Sequence, residues 1–211
     1  MIDPRTDGRI LRGNQTRRTI VRRAVDIASV EGLDGLSIGR LAADLKLSKS
    51  GVFALFGSKE DLQLAAVRAA TKIYTEQVVD PSMEVTPGLG RVWTLCERWL
   101  DYSEQRVFPG GCFFFSASAE FDSRPGRVRD AVADASRTWQ QIMARTITDA
   151  VQIGDLAPGT NSDQLAYELI ALLEAANGIA LLHDDPAAYV RSRMAIRARL
   201  STVCTSPALL P

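Results

Sequence analysis

The stretch from Leu36 to Leu62, LSIGRLAADLKLSKSGVFALFGSKEDL, constrains the fold most, because its apolar spacing spells a short helix, a tight turn and a second short helix. Ile38, Leu41, Ala42 and Leu45 recur at helical intervals, which predicts one amphipathic helix from Ser37 to Asp44 with Ser37 as its N-cap. Leu45-Lys46-Leu47 leaves only a turn before Ser48, which caps a second helix whose inward face is Val52, Leu55 and Phe56. Small Ala42 lets the two helices cross closely, as a helix-turn-helix requires. Ser48, Lys49, Ser50, Gly51, Phe53 and Ala54 then point outward. Gly57-Ser58 stops this helix and caps the next, with Asp61 in a reciprocal capping arrangement and Glu60 favourable to the helix dipole. Upstream, Ile20, Ala24, Ile27 and Ala28 give a third helix, ended by Glu31-Gly32.

Residues 17–62 resemble the N-terminal DNA-binding domain of the tetracycline-repressor family. The resemblance is carried by Gly35-Leu36-Ser37-Ile38, Leu41-Ala42, Lys46-Leu47-Ser48, Val52-Phe53, Phe56 and Ser58-Lys59-Glu60-Asp61-Leu62, in the family's order and spacing. Two positions depart from the pattern. Phe53 stands where the family usually has a phosphate-reaching tyrosine, and Lys46 replaces a turn glycine. Without a hydroxyl, Phe53 is left to sugar, a thymine methyl or the core.

On this resemblance Lys49 is expected to bond guanine O6 and N7, with Ser48 and Ser50 on bases or phosphate. Ser37, Arg40 and Lys59 are assigned to phosphates, followed by Arg17 and Arg18. Charge agrees: residues 1–72 hold 13 Lys and Arg against 8 Asp and Glu, whereas residues 73–211 hold 12 against 17. Net neutrality therefore hides a basic end suited to the DNA backbone. Residues 1–15, with Arg5, Arg9 and Arg12 and no apolar period, are expected to be a flexible basic arm. Residues 16–58 form the helix-turn-helix domain and 59–211 a larger helical effector-binding and dimerisation domain.

Nothing beyond residue 58 alternates like a strand, so the expected architecture is all-α, with about nine helices. A connecting helix runs from Lys59 to about Val79 and is broken at Asp80-Pro81, followed by helices over Leu89 to Glu104, Cys112 to Phe121 and Val128 to Ile153. The next, from Ser162 to His183, is apolar or small almost all round from Leu169 to Leu182, so it needs cover on two sides. One cover is the chain's own domain. The other is expected to be a second copy, paired with the helix starting near Pro186 in a two-fold four-helix arrangement, as the last two helices of the family form its dimer interface. Leu169, Leu172, Leu173, Ala176, Ala180, Ile196 and Leu200 are the expected interface residues.

The middle of the chain is rich in aromatic residues, and the resemblance implies a ligand cavity there. Trp99, Phe113 and Trp139 are the expected lining, suited to a small hydrophobic or aromatic effector. The three cysteines, Cys96, Cys112 and Cys204, make no metal motif, and no cofactor is expected. The single histidine, His183, belongs to no catalytic motif, which speaks against a Cys-dependent enzyme. An absent export signal predicts a cytoplasmic protein without a membrane partner. The combined expectation is a ligand-responsive regulator, by family default a repressor, that binds a palindromic operator as a homodimer. The alternative is a DNA-tethered protein-interaction module marked by Phe113-Phe114-Phe115.

Overall fold

The structure is a computed structural model that describes residues 4–210, with side chains from residue 13 onward. Among the described residues the fold is all helical, and an isolated bridge between Leu156 and Cys204 is its only extended pairing. Helix α1 spans Pro4–Glu31, α2 Ile38–Asp44 and α3 Lys49–Phe56. Helix α4 starts as Lys59–Tyr74, widens into a π-helical turn over Thr75–Val79 and ends as Asp80–Met83. Then follow α5 (Leu89–Glu104), α6 (Phe113–Phe121), α7 (Arg127–Gln152), α8 (Ser162–Leu182) and α9 (Ala187–Ser201). Counting α4 as one continuous rod gives nine helices among the described residues.

The local chemistry of the ends explains the boundaries. Ser37, Ser48, Ser58 and Asn161 each accept a backbone N–H from the third residue of the helix they precede. Ser58 also donates its hydroxyl to the Asp61 carboxylate at 2.7 Å, tying the cap closed from both sides. Gly57 ends α3 at φ 76°, a conformation open to glycine at no steric cost.

Two boundaries differ from the sequence reading. Helix α1 begins at Pro4, so the backbone from residue 4 to residue 15, expected as an arm, continues the helix. Extending a formed helix costs far less than nucleating one, and proline is well placed in a first turn. Residues 1–3 and the side chains of Arg5, Arg9 and Arg12 lie outside the described residues. The second difference is Asp80-Pro81, which does not break α4. A proline ring clashes with the carbonyl four residues earlier, here that of Gln77, and Gln77 lies inside the π turn, where the regular α-helical ladder is already interrupted.

Ile20, Ala24, Leu36, Leu41, Val52, Phe56 and Leu62 close a small core between α1, α2, α3 and the start of α4. Helix α4 packs on α1 and α7, and α7 also lies against α5, α6 and α8. Helix α8 is long and apolar enough by composition to cross a membrane, yet one face of it is buried in this body. Asn177, its polar interruption, is fully buried: its Oδ1 accepts hydrogen bonds from the Ser103 hydroxyl and the Cys112 amide, both at 2.8 Å.

The same burial corrects the expected interface. Leu169, Leu173, Ala176 and Ala180 on α8, with Ile196 and Leu200 on α9, are sealed in the chain's own core, and Leu172 is partly buried against it. A helix apolar all round gives no clue in sequence to which side faces inward; the inner side is the one that pairs α8 with α9. The outer stripe is Ala171, Ala175, Ile179 and Leu182 on α8, with Val190 and Met194 on α9.

Candidate nucleic-acid interface and ligand cavity

Helix α3 presents the edge the sequence predicts. Ser48, Lys49, Ser50, Gly51, Phe53 and Ala54 are exposed, while Val52 and Phe56 hold the helix to α1 and α2. Phe53 is 55% exposed, so it is not a core residue, and its ring stands on the same edge as Lys49 and Ser50. Ser37 is exposed at the N-terminus of α2, its hydroxyl accepting the Arg40 amide at 3.1 Å.

The flanking cations are more engaged than the sequence suggests. The Arg40 guanidinium makes a two-pronged pair with Glu31, and this hydrogen bonding holds the Glu31 carboxyl below its ordinary value. Lys59 donates to the Asp34 carbonyl at 2.6 Å and lies 3.3 Å from its carboxylate. Arg17 donates to the Leu55 carbonyl and lies 4.6 Å over the Phe56 ring, so it braces α3 against α1. Arg18 is exposed beside it. Arg17 thus holds α3, while Arg40 ties α2 to the end of α1 and Lys59 ties the start of α4 to the loop after α1.

Sequence reasoning missed the seam beneath this domain. Glu120 on α6 accepts the backbone N–H groups of Leu33 and Asp34, both at 2.7 Å, although 87 and 86 residues separate the partners. Asp34 in turn pairs with Arg124 and Lys59, which hold its carboxyl below the usual range, Arg124 first. Gly110 sits so close to α1 that a Cβ there would come within 1.8 Å of the Ser29 carbonyl oxygen, and its amide donates to the Ser29 hydroxyl.

A cavity of about 100 Å³ lies between α4, α5, α6, α7 and α8. Trp99 and Trp139 line it. Phe113 does not: it is 1% exposed and packs between Phe108 and Phe114. Helical periodicity could not choose among three consecutive phenylalanines, and the neighbours Phe114 and Phe115 take the lining position. Tyr74, the last residue before the π turn, was not foreseen. Its ring centroid lies 5.4 Å from Trp139 and 5.9 Å from Phe114, edge to face with both. The triple phenylalanine is graded in burial: Phe113 is buried, Phe114 partly buried and Phe115 exposed.

Cys96 and Cys112 are buried, and Cys204 is partly exposed. Burial pushes Cys96 up to about 12 and Cys112 up to about 11, so both are held as neutral thiols rather than as nucleophilic thiolates.

Comparison with known proteins follows the same division. Residues 88–196 match the family profile described as "Tetracyclin repressor-like, C-terminal domain". Curated proteins give no match. Among solved structures, a TetR transcriptional regulator from Chloroflexus aurantiacus is similar over 92% of this chain and 98% of its own, with a TM-score of 0.85 and 22% identity. A transcriptional regulator from Saccharomonospora viridis in complex with choline covers 92% of this chain and 100% of its own (TM-score 0.79, 22% identity). AibR in complex with isovaleryl coenzyme A and operator DNA covers 89% and 97% (TM-score 0.68, 14% identity). With its larger domain matched by the profile and the whole chain sharing this helical fold, the protein belongs to the tetracycline-repressor family of transcriptional regulators.

Proposed function

We propose that this protein is a ligand-responsive transcriptional regulator, by family default a repressor, that binds a palindromic operator as a homodimer and is released by a small effector. The observation that carries this reading is the exposed edge of α3, where Lys49, Ser48 and Ser50 stand free of the core on a helix-turn-helix. A single short helix reads few base pairs. Two copies held about 34–36 Å apart, or a multiple of it, read successive major grooves, so the operator mirrors the two-fold symmetry of the protein.

Control is linkage between the cavity and this spacing. The effector loosens DNA binding only by its different affinity for the two separations, a coupling of about 1–3 kcal/mol in typical cases. Helix α4 is the connecting lever: Thr71, Tyr74, Thr75 and Val79 line the cavity, and Ser58 to Leu62 butt against the reading domain. The cavity is smaller than the roughly 150 Å³ that admits benzene to an apolar core, so the effector is compact or widens the site on entry. Solved relatives of the fold hold ligands as different as choline and an acyl-coenzyme A, so the fold alone does not set the effector class.

The test is affinity for DNA flanking the protein's own gene, measured by fluorescence anisotropy at two salt concentrations. Lys49→Ala is expected to cost about 1–3 kcal/mol on one DNA sequence and to relax discrimination at one base position. An equal loss on every sequence, with a shallower salt slope, assigns Lys49 to phosphate instead. Full affinity in the variant overturns the assignment of α3 as the reading helix.

A further inference from the structure

The cavity lining is charged in one sense only. Glu174 is its single ionisable acid, and no Lys, Arg or His stands among the lining residues. Burial raises the Glu174 pKa, and no basic neighbour opposes that rise. Around this carboxylate stand Tyr74, Trp99, Trp139, Phe114 and Phe115. Tyr74 meets Trp139 at 82° and Phe114 at 84°, so the rings turn faces in different directions around one small space. The Tyr74 hydroxyl is buried with no hydrogen-bond partner among the described residues.

Each feature prefers a positive guest. Aromatic faces carry negative potential and attract cations held against them, most strongly where water is excluded. A partly desolvated carboxylate without a partner is relieved by a cation and penalised by an anion. A purely apolar guest leaves the buried phenol without a partner and gives the carboxylate, which stands on an exposed residue at the edge of the cavity, no counter-charge. We propose that the cavity takes a small organic cation, an amine or quaternary ammonium group, seated against Tyr74, Trp99 and Trp139 with Glu174 as its counter-charge. This rests on the reading of the cavity as the effector site, and it replaces the hydrophobic or aromatic effector expected from sequence with a charged one.

Three probes of similar bulk separate the classes: tetramethylammonium, neopentyl alcohol and pivalate. Each is titrated into the full-length protein and followed by tryptophan fluorescence and calorimetry. Tetramethylammonium is expected to bind at least about tenfold more tightly than the alcohol or the anion. Glu174→Gln is expected to remove most of that advantage while leaving the alcohol's affinity and the melting temperature unchanged, since Glu174 makes no ion pair among the described residues whose loss would unfold the chain. Trp139→Leu is expected to weaken the cation more than the alcohol. Equal affinity for the alcohol, preference for pivalate, indifference to Glu174→Gln, or no binding of tetramethylammonium overturns the cation assignment. Binding of either other probe in preference leaves the sensor reading standing. That reading fails separately, when no compound that enters the cavity alters operator affinity.

Discussion

Lys46 sits in the turn between α2 and α3 at φ 55°, in the left-handed region where its Cβ crowds the following carbonyl. The family pattern places glycine at this position, and the geometry shows why: the turn takes a positive φ here, which glycine adopts without steric cost. A lysine there costs about 1–2 kcal/mol relative to glycine in the folded state, offset in part by glycine's larger loss of backbone freedom. Its side chain is exposed, so no packing is lost on replacement. Lys46→Gly is therefore expected to raise unfolding free energy by about 0.5–1 kcal/mol in urea titration. Unchanged or lower stability shows that the turn relaxes around lysine without strain. The serine caps were legible because a cap and its amide lie three residues apart. Arg17 was not, because the carbonyl and ring that hold it are supplied by Leu55 and Phe56, far along the chain.

At the scale of elements, two helices touch both the cavity and the reading domain. Helix α4 was foreseen in that role. Helix α6 was not, although Phe114, Phe115 and Ser118 line the cavity and Glu120, on the same helix, caps the loop after α1. Helix existence could be read from periodicity and breakers, since both are local. Three things could not: the π turn that carries α4 past Pro81, the choice among Phe113, Phe114 and Phe115, and the inward side of α8. Each is decided by a neighbour distant in sequence. Glu120 marks a testable joint. Glu120→Gln keeps the shape but offers one carbonyl oxygen to two amides, so one charge-assisted bond becomes a neutral one and the other is lost, because the new NH2 group cannot accept an N–H. Amide hydrogen exchange at Leu33 and Asp34 is expected to speed up severalfold, while the amides of α2 and α3 keep their protection. Uniform acceleration through all three helices would instead make Glu120 a general stability residue and remove α6 as a route between the two sites.

For the whole molecule the decisive question is what covers the outer stripe of α8 and α9. Leu182 is 81% exposed, Met194 67%, Val190 54% and Ile179 44%, and small Ala171 and Ala175 let another helix approach closely. Contiguous apolar residues on two adjacent helices mark an interaction surface, and on the proposed homodimer reading a second copy covers it symmetrically. Under two-fold symmetry a single substitution enters the interface twice, so Met194→Glu places two like charges in a dehydrating seam. Met194 makes no part of the chain's own core, so the variant is expected to fold with an unchanged helical spectrum. In analytical ultracentrifugation it is expected to sediment as a monomer where the parent sediments as a dimer. Operator affinity then falls because the two reading helices no longer bind as one unit, and the slope of log affinity against log salt falls to about half, since each monomer neutralises half the phosphates. The converse substitution on the inner side, Leu200→Glu, buries a charge in the chain's own core and is expected to unfold it. If Met194→Glu stays dimeric with the parent's salt slope, the two copies meet elsewhere and the outer stripe of α8 and α9 is not the axis of the operator complex.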